Sequence, residues 1–146
     1  MGKYYDDFEI GEEAVSAGRT VTETDIVNFA GITGDWNELH TNKEYGAKTQ
    51  FGQRIAHGAL IFSIATGLSV RMGQTADSII AFYGLERLRF VKPTFIGDTI
   101  RVKQRVESKS VRDEASGLVT MLNEVVNQND QIVVSYIAKV LLKRKG

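Results

Sequence analysis

The sequence predicts a single α+β domain in which a curved antiparallel sheet wraps around one long buried helix. Two observations predict this fold. Residues 57–72 carry a helical stripe of apolar side chains with further apolar residues off the stripe, as is typical of a helix covered on most sides. Nearly everything after that helix alternates with the period of a β-strand. The 146 residues are enough for one domain, residues 1–146, that buries roughly 68–70% of its unfolded surface.

The segments before the long helix predict a strand and two short helices. Residues 14–21 have strand character. Thr22 or Thr24 can cap a first helix, which Gly34 ends. A second short helix is expected near residues 43–48. Three apolar residues at helical spacing give the first helix its buried side: Ile26, Phe29 and Ala30.

Four strands are predicted after the long helix, at residues 78–91, 100–107, 117–127 and 131–143. Residues 127–130 read Asn-Gln-Asn-Asp and predict the turn of a hairpin between the last two strands. Those two strands are apolar on both faces, and one helix cannot cover both. We therefore expect a homodimer or a larger homo-oligomer in which a second copy supplies the missing layer.

Composition and charge argue against several classes of protein. Eighteen Asp and Glu balance eighteen Lys and Arg, whereas a sequence-independent nucleic-acid binder usually carries a basic excess. The chain has no cysteine, so it has neither disulfides nor thiol chemistry. Residues 1–13 lack the apolar core of a signal peptide, and no apolar run approaches membrane-spanning length. We expect a cytoplasmic protein that uses neither nucleic acid nor membrane as a partner.

Chemistry-bearing residues are concentrated in two neighbouring segments, Gly34–His40 (G-D-W-N-E-L-H) and Arg54–Gly58 (R-I-A-H-G). Asp35 and His40 are five positions apart, which would place them on different faces of a helix, so they can converge only from a loop. Such a pair can transfer protons. A glycine that opens a helix offers N–H groups to a developing oxyanion. The alternative is that Asp35 only caps and turns the chain and that His40 is a half-buried loop histidine.

The two segments resemble the MaoC-like hydratase/dehydratase family, which includes the R-specific enoyl-CoA hydratases and has the pattern G-D-x-N-P-x-H followed by I-[AV]-H-G. The resemblance extends to residues 26–31 and to residues 88–99, which are similar to the family pattern L-x-F-x-x-P-x-x-x-G-D-x-[IL]. It covers nearly the whole chain. One departure is Glu38, which stands where the family has proline. The loop thereby loses a fixed φ angle and gains a carboxylate that could face the site or the solvent.

The resemblance implies a hotdog fold and a place in acyl-CoA and fatty acid metabolism. It implies a cofactor-free hydro-lyase that adds water to a trans-2-enoyl-CoA, or a related acyl thioester, to give the (R)-3-hydroxyacyl product. Asp35 and His40 would be the catalytic pair, and Gly58 would donate its N–H to the thioester carbonyl oxygen. No metal and no cofactor are expected, coenzyme A being part of the substrate.

Four further residues are assigned supporting roles. Asn37 orients the loop or the water, and His57 caps the long helix or packs against it. Ser63 and Thr66 lie on the long helix. The resemblance implies that Thr66 helps to hold the catalytic pair. The alternative for its hydroxyl is a bond to a carbonyl of its own helix.

Three other functions remain possible. One is a metal-dependent oxygenase or hydrolase with Asp35, His40 and His57 as ligands, although nothing in the sequence places His57 on the same side as the pair. Another is a non-catalytic subunit that binds acyl thioesters, and the third is a thioesterase with the same fold. The basic residues of the strand region are expected mainly in solvent, with one or two meeting the phosphates of coenzyme A: Arg87, Arg89, Lys92, Arg101, Lys103 and Arg105.

Overall fold

A computed structural model describes residues 2–146 and contains four α-helices, six strands and a short 3-10 helix at Tyr5–Asp7. The helices are α1 (Glu23–Thr33), α2 (Glu38–Thr41), α3 (Lys43–Ala47) and α4 (Gly58–Arg71). The strands are β1 (Glu13–Val15), β2 (Arg19–Thr20), β3 (Ile79–Phe90), β4 (Thr99–Val111), β5 (Ser116–Val126) and β6 (Ile132–Lys143).

The strands form one antiparallel sheet in the order β1-β4-β5-β6-β3, and β2 also pairs with β4. Helix α4 packs against one face of this sheet. Its buried residues Ile61 and Ala65 belong to the same apolar cluster as Val102, Val125 and Ala138 from the three central strands. This arrangement confirms the predicted α+β fold, with one domain across the described residues.

The N-terminal segment covers the part of the same sheet face that α4 does not reach. Tyr5 and Phe8 are buried against residues of β4, β5 and β6 in a second apolar cluster: Val106, Val119, Met121 and Leu142. Gly117 is required there, because a Cβ atom at this position would lie 2.5 Å from the Tyr5 ring. The helix and the N-terminal segment thus divide one sheet face between them.

The prediction of a single strand over residues 14–21 is wrong, because the chain forms the two short strands β1 and β2 with a break between them. The break follows from Ser16, whose N–H donates to the Val102 carbonyl at 2.9 Å while its hydroxyl accepts the Val102 N–H at 2.8 Å. A side-chain oxygen thereby replaces the backbone carbonyl that a regular ladder would use.

The exposed apolar surface also differs from the prediction. Val133 of β6 is fully buried and Leu141 nearly so, which means that these residues belong to the fold and not to an open face. The edge strand β3 instead carries a run of exposed apolar residues, of which five have 37–53% of their surface exposed: Ile79, Ile80, Phe82, Tyr83 and Leu85.

Within residues 2–146, none of the helices combines the length and the apolar character needed to cross a membrane.

Candidate active site

Asp35 lies at the end of α1, in a loop that fixes both its backbone and its carboxylate. Gly34 ends α1 in the left-handed conformation at φ 78°, which glycine adopts without strain. The Asp35 N–H donates to Thr33 Oγ1 at 3.1 Å, and its Oδ1 accepts the Asn37 N–H at 3.2 Å. Its carbonyl accepts from His57 Nε2 at 2.9 Å. The carboxylate is exposed, so it can reach a bound water or substrate.

His40 lies on α2 and not on a loop as predicted. Asn37 caps this helix by accepting the Leu39 N–H at 2.9 Å. The short helix was not predicted because four residues are too few to show an apolar period. His40 Nδ1 lies 2.7 Å from the carbonyl oxygen of Ile55, and a carbonyl can only accept a hydrogen bond. The neutral ring therefore carries its proton on Nδ1. The lone pair of Nε2 stays free, so that this nitrogen can act as a base.

His57 is buried, with 2% of its surface exposed, and it packs beside the pair. Its ring stacks on the His40 ring with 3.9 Å between centroids and an interplanar angle of 28°. The ring of Phe29 in α1 also packs against His57, with 5.0 Å between the two ring centroids. Of the two predicted roles, packing is observed, since the His57 side chain makes no capping hydrogen bond to α4.

Asp35, His40 and His57 each place one potential ligand atom within 4.8 Å of the others. The structure thus brings His57 to the pair, which the sequence gave no reason to expect. His40 Nδ1 and His57 Nε2 are bonded to backbone carbonyls, so only the other nitrogen of each ring is free to meet a ligand or a proton.

Gly58 is the first residue of α4. Neither the Gly58 N–H nor the Ala59 N–H has an acceptor in the part of the chain that the structure describes, so both are available at the positive end of the helix dipole. A Cβ atom at Gly58 would lie 2.6 Å from the Phe90 ring. The glycine therefore also permits close packing between α4 and β3.

A cavity of about 490 Å³ borders Gly58 and Ala59. Its walls are mainly apolar, and Lys92 is the one charged side chain in the lining. The lining thus combines apolar walls with a single positive charge.

Comparison with known proteins identifies the family. The MaoC like domain matches residues 7–129. The chain belongs to this family. A structure described as a monoamine oxidase regulatory protein from Archaeoglobus fulgius is 41% identical and superposes with a TM-score of 0.92, over 99% of this chain and 97% of that one. A protein from Mycobacterium tuberculosis with a double hotdog fold is 21% identical and superposes with a TM-score of 0.88, over 99% of this chain and 45% of that one. The hotdog fold is thereby confirmed.

Two curated relatives are longer than the matched region. Protein MaoC of Klebsiella aerogenes is 40% identical over 114 residues, which are 78% of this chain and 33% of that protein. The (R)-specific enoyl-CoA hydratase of Rhodospirillum rubrum is 38% identical over 97 residues, which are 66% of this chain and 65% of that enzyme. The chain thus spans about a third of one relative and about two thirds of the other.

The hydroxyl residues of α4 in this MaoC-like chain bond to their own helix. Ser63 Oγ donates to the Ala59 carbonyl at 2.8 Å, and Thr66 Oγ1 donates to the Ser63 carbonyl at 2.7 Å. In this structure their hydrogen bonds therefore stay within α4, as the alternative interpretation of Thr66 stated.

The basic residues fall into two groups. Arg101 and Lys103 both pair with Asp130, and Arg105 pairs with Glu107. Three others form no ion pair within residues 2–146 and lie close in sequence at the end of β3: Arg87, Arg89 and Lys92. Of these three, Lys92 lines the cavity beside Gly58.

Two contributors to the site could not be found from the sequence. The Ile55 carbonyl selects the tautomer of His40, and a backbone carbonyl has no residue signature. Thr41 donates to the carbonyls of Trp36 and Asn37, both at 3.1 Å, and so ties α2 to the Asp35 loop. Its position directly after His40 is the only sequence signal for this role.

Proposed function

We propose that this chain is a cofactor-free hydro-lyase that adds water reversibly across the double bond of a trans-2-enoyl-CoA, giving the (R)-3-hydroxyacyl thioester. The observation that carries the proposal is the convergence of the Asp35 carboxylate and the His40 ring beside the free N–H groups of Gly58 and Ala59. The relative from Rhodospirillum rubrum, named as an (R)-specific enoyl-CoA hydratase, supports it.

The pair supplies the proton transfers. A water held between the Asp35 carboxylate and His40 Nε2 loses a proton to the pair as its oxygen bonds to C3 of the enoyl group. The pair returns a proton to C2. Because both groups act on one water, hydroxyl and hydrogen arrive on the same face of the double bond. Dehydration follows the same path in reverse.

The start of α4 stabilises the charge that forms between these two steps. Addition at C3 pushes an electron pair through C2 onto the thioester oxygen, which becomes enolate-like. An N–H group of Gly58 or Ala59, with the helix dipole behind it, donates to that oxygen when it carries charge. All the groups that act in this scheme, side chains and backbone N–H groups alike, belong to the protein, and no step requires a metal.

Strand β3 supports a proposal for the assembly. This strand is a sheet edge with a long exposed apolar surface, which in an isolated protomer would invite pairing with another strand. We propose a homodimer in which two β3 strands pair antiparallel around a twofold axis and so join the two sheets. This replaces the expectation that β5 and β6 carry the interface.

Turnover of enoyl-CoAs by matched variants tests the assignment. The loss of the conjugated-thioester absorbance of crotonyl-CoA and longer enoyl-CoAs measures hydration. We expect Asp35→Asn and His40→Ala each to lower the rate roughly 10²–10⁴-fold, and the double variant to lose little more because the two groups act as one unit. Asp77→Asn, on an exposed loop, is the matched control and should keep the rate.

Near wild-type hydration in either single variant would overturn the assignment. Elemental analysis of the same preparations tests the metal-dependent alternative, which requires a stoichiometric ion that depends on His57.

A further inference from the structure

His57 is a buried ionisable side chain of the site to which the proposed reaction assigns no step. It directly precedes α4 and has 2% of its surface exposed. Its Nε2 lies 2.9 Å from the carbonyl oxygen of Asp35. Because a carbonyl can only accept a hydrogen bond, Nε2 carries the proton of the neutral ring. The other nitrogen, Nδ1, is buried and has no hydrogen-bond partner among residues 2–146.

Packing alone does not account for a histidine at this position. A buried nitrogen without a partner is costly, and a phenyl ring would fill a similar space without that cost. Histidine combines two properties that phenylalanine, leucine and glutamine cannot combine. It has an aromatic face, and it has an N–H group that donates to the Asp35 carbonyl.

The aromatic face of His57 lies against the base of the proposed reaction. The centroids of the His57 and His40 rings are 3.9 Å apart, and the two ring planes form an angle of 28°. Two contacts hold the His57 ring in this position. One is the hydrogen bond to the Asp35 carbonyl, and the other is the packing of the Phe29 ring, whose centroid is 5.0 Å from that of His57.

The two stacked rings differ in their ability to take a second proton. On His57 that proton would sit on Nδ1, where it would be buried without an acceptor. His40 takes it on Nε2, because its Nδ1 already donates to the Ile55 carbonyl at 2.7 Å. When His40 Nε2 holds the proton of the attacking water, a positively charged ring therefore lies against a neutral aromatic one.

A cation within about 6 Å of the centroid of a neutral aromatic ring, on its face, is stabilised, and more strongly so where water is excluded. We propose that His57 is a positioning residue whose neutral ring stabilises the charged form of His40, from the loss of the water proton until its return to C2. The hydrogen bond to the Asp35 carbonyl ties this ring to the loop that carries the other member of the pair. The inference rests on the proposed function, because the proton transfer of that function is what gives His40 its charge.

Three substitutions of His57 separate the aromatic face from the hydrogen bond, with kcat and KM measured for crotonyl-CoA hydration. His57→Gln keeps an N–H donor for the Asp35 carbonyl but has no ring, and we expect kcat to fall about 10-fold with KM unchanged. His57→Leu, whose apolar side chain suits the buried position, is the second variant without a ring and should lose kcat to the same extent. His57→Phe keeps the aromatic face, and its kcat should stay within about 2-fold of the wild-type value.

A double-mutant cycle shows whether His57 acts through the charge on His40. In the His40→Ala background no charge forms at this position, so adding His57→Gln should change the residual kcat by less than about 2-fold. Val119→Ala, in the second apolar cluster, is the control for lost stability. It should lower the unfolding temperature and leave kcat unchanged.

Three outcomes would overturn the inference and leave the proposed function in place. They are an unchanged kcat in His57→Gln and His57→Leu, an equal loss of kcat in His57→Phe, and a 10-fold loss that His57→Gln also causes in the His40→Ala background. A wild-type chain that hydrates none of the enoyl-CoAs would overturn the proposed function, and the inference with it.

Discussion

Glu38→Pro tests whether the loop of this chain has the backbone of its family. Glu38 is the first residue of α2, the helical position that proline favours. Its N–H has no acceptor in residues 2–146, so proline would remove no hydrogen bond of the backbone. Asn37, which precedes it, has φ −51° and ψ 134°, close to the extended conformation required before proline.

The expected magnitude is small and positive. Proline at a compatible position stabilises a protein by roughly 0.4–1 kcal/mol, because it restricts the unfolded chain. Against this, Glu38 Oε1 accepts from Asn42 Nδ2 at 3.0 Å. Both side chains reach solvent, so water replaces most of that bond at a cost of a few tenths of a kcal/mol. Glu38→Ala loses the same bond without gaining the restriction. The Glu38→Pro variant should therefore be more stable than the Glu38→Ala variant by about 0.4–1 kcal/mol.

Thermal and urea unfolding of the two variants measure this difference, and crotonyl-CoA hydration over a pH series measures the effect on the site. Since the Glu38 carboxylate is exposed and bonded to Asn42, we expect the pH–rate profile to keep its shape in both variants. A large loss of both stability and activity in Glu38→Pro, with Glu38→Ala near wild type, would refute the reasoning. It would mean that the loop follows another path and that the assignment of Asp35 and His40 needs revision.

Two further predictions concern substrate binding and assembly. Lys92→Gln should raise KM for enoyl-CoAs about 5-fold with kcat unchanged, as expected for loss of one phosphate contact. The control is Lys103→Gln, which should leave KM unchanged because Lys103 already pairs with Asp130. Equal effects of the two substitutions on KM would contradict the assignment of Lys92. Leu85→Lys in the exposed part of β3 should give monomers in light scattering, and Val15→Lys on the opposite sheet edge should stay dimeric. A stable wild-type monomer at micromolar concentration would exclude the dimer.

The features that the sequence predicted correctly depend on local interactions. Thr22 caps α1 through a reciprocal pair of bonds with Asp25, and Gly34 ends the same helix. The apolar period of α4 places its bounds within one residue of the prediction. The break between β1 and β2 could not be predicted, because it depends on a bond between Ser16 and Val102, which are 86 residues apart.

The candidate site shows the same difference between local interactions, which the sequence predicts, and long-range ones, which it does not. That Asp35 and His40 are near each other follows from their spacing in one segment, and the structure places them within 4.8 Å. The place of His57 could not be read from the chain, because its contact is with the backbone carbonyl of Asp35, 22 residues away. Side-chain types therefore predict which groups are present, whereas long-range backbone contacts decide how they are oriented.

The orientation of His40 shows how far this backbone control extends. Its tautomer depends on the Ile55 carbonyl, and Ile55 is held in place by an antiparallel bridge to Phe95. Phe95 in turn donates its N–H to Asp98 Oδ2 at 2.9 Å, across a turn that Gly97 makes possible with φ 96°. The Gly-Asp of the downstream family pattern thus carries no reacting group. It folds the turn that positions the bridge, and the bridge positions the carbonyl that leaves Nε2 free to act as a base.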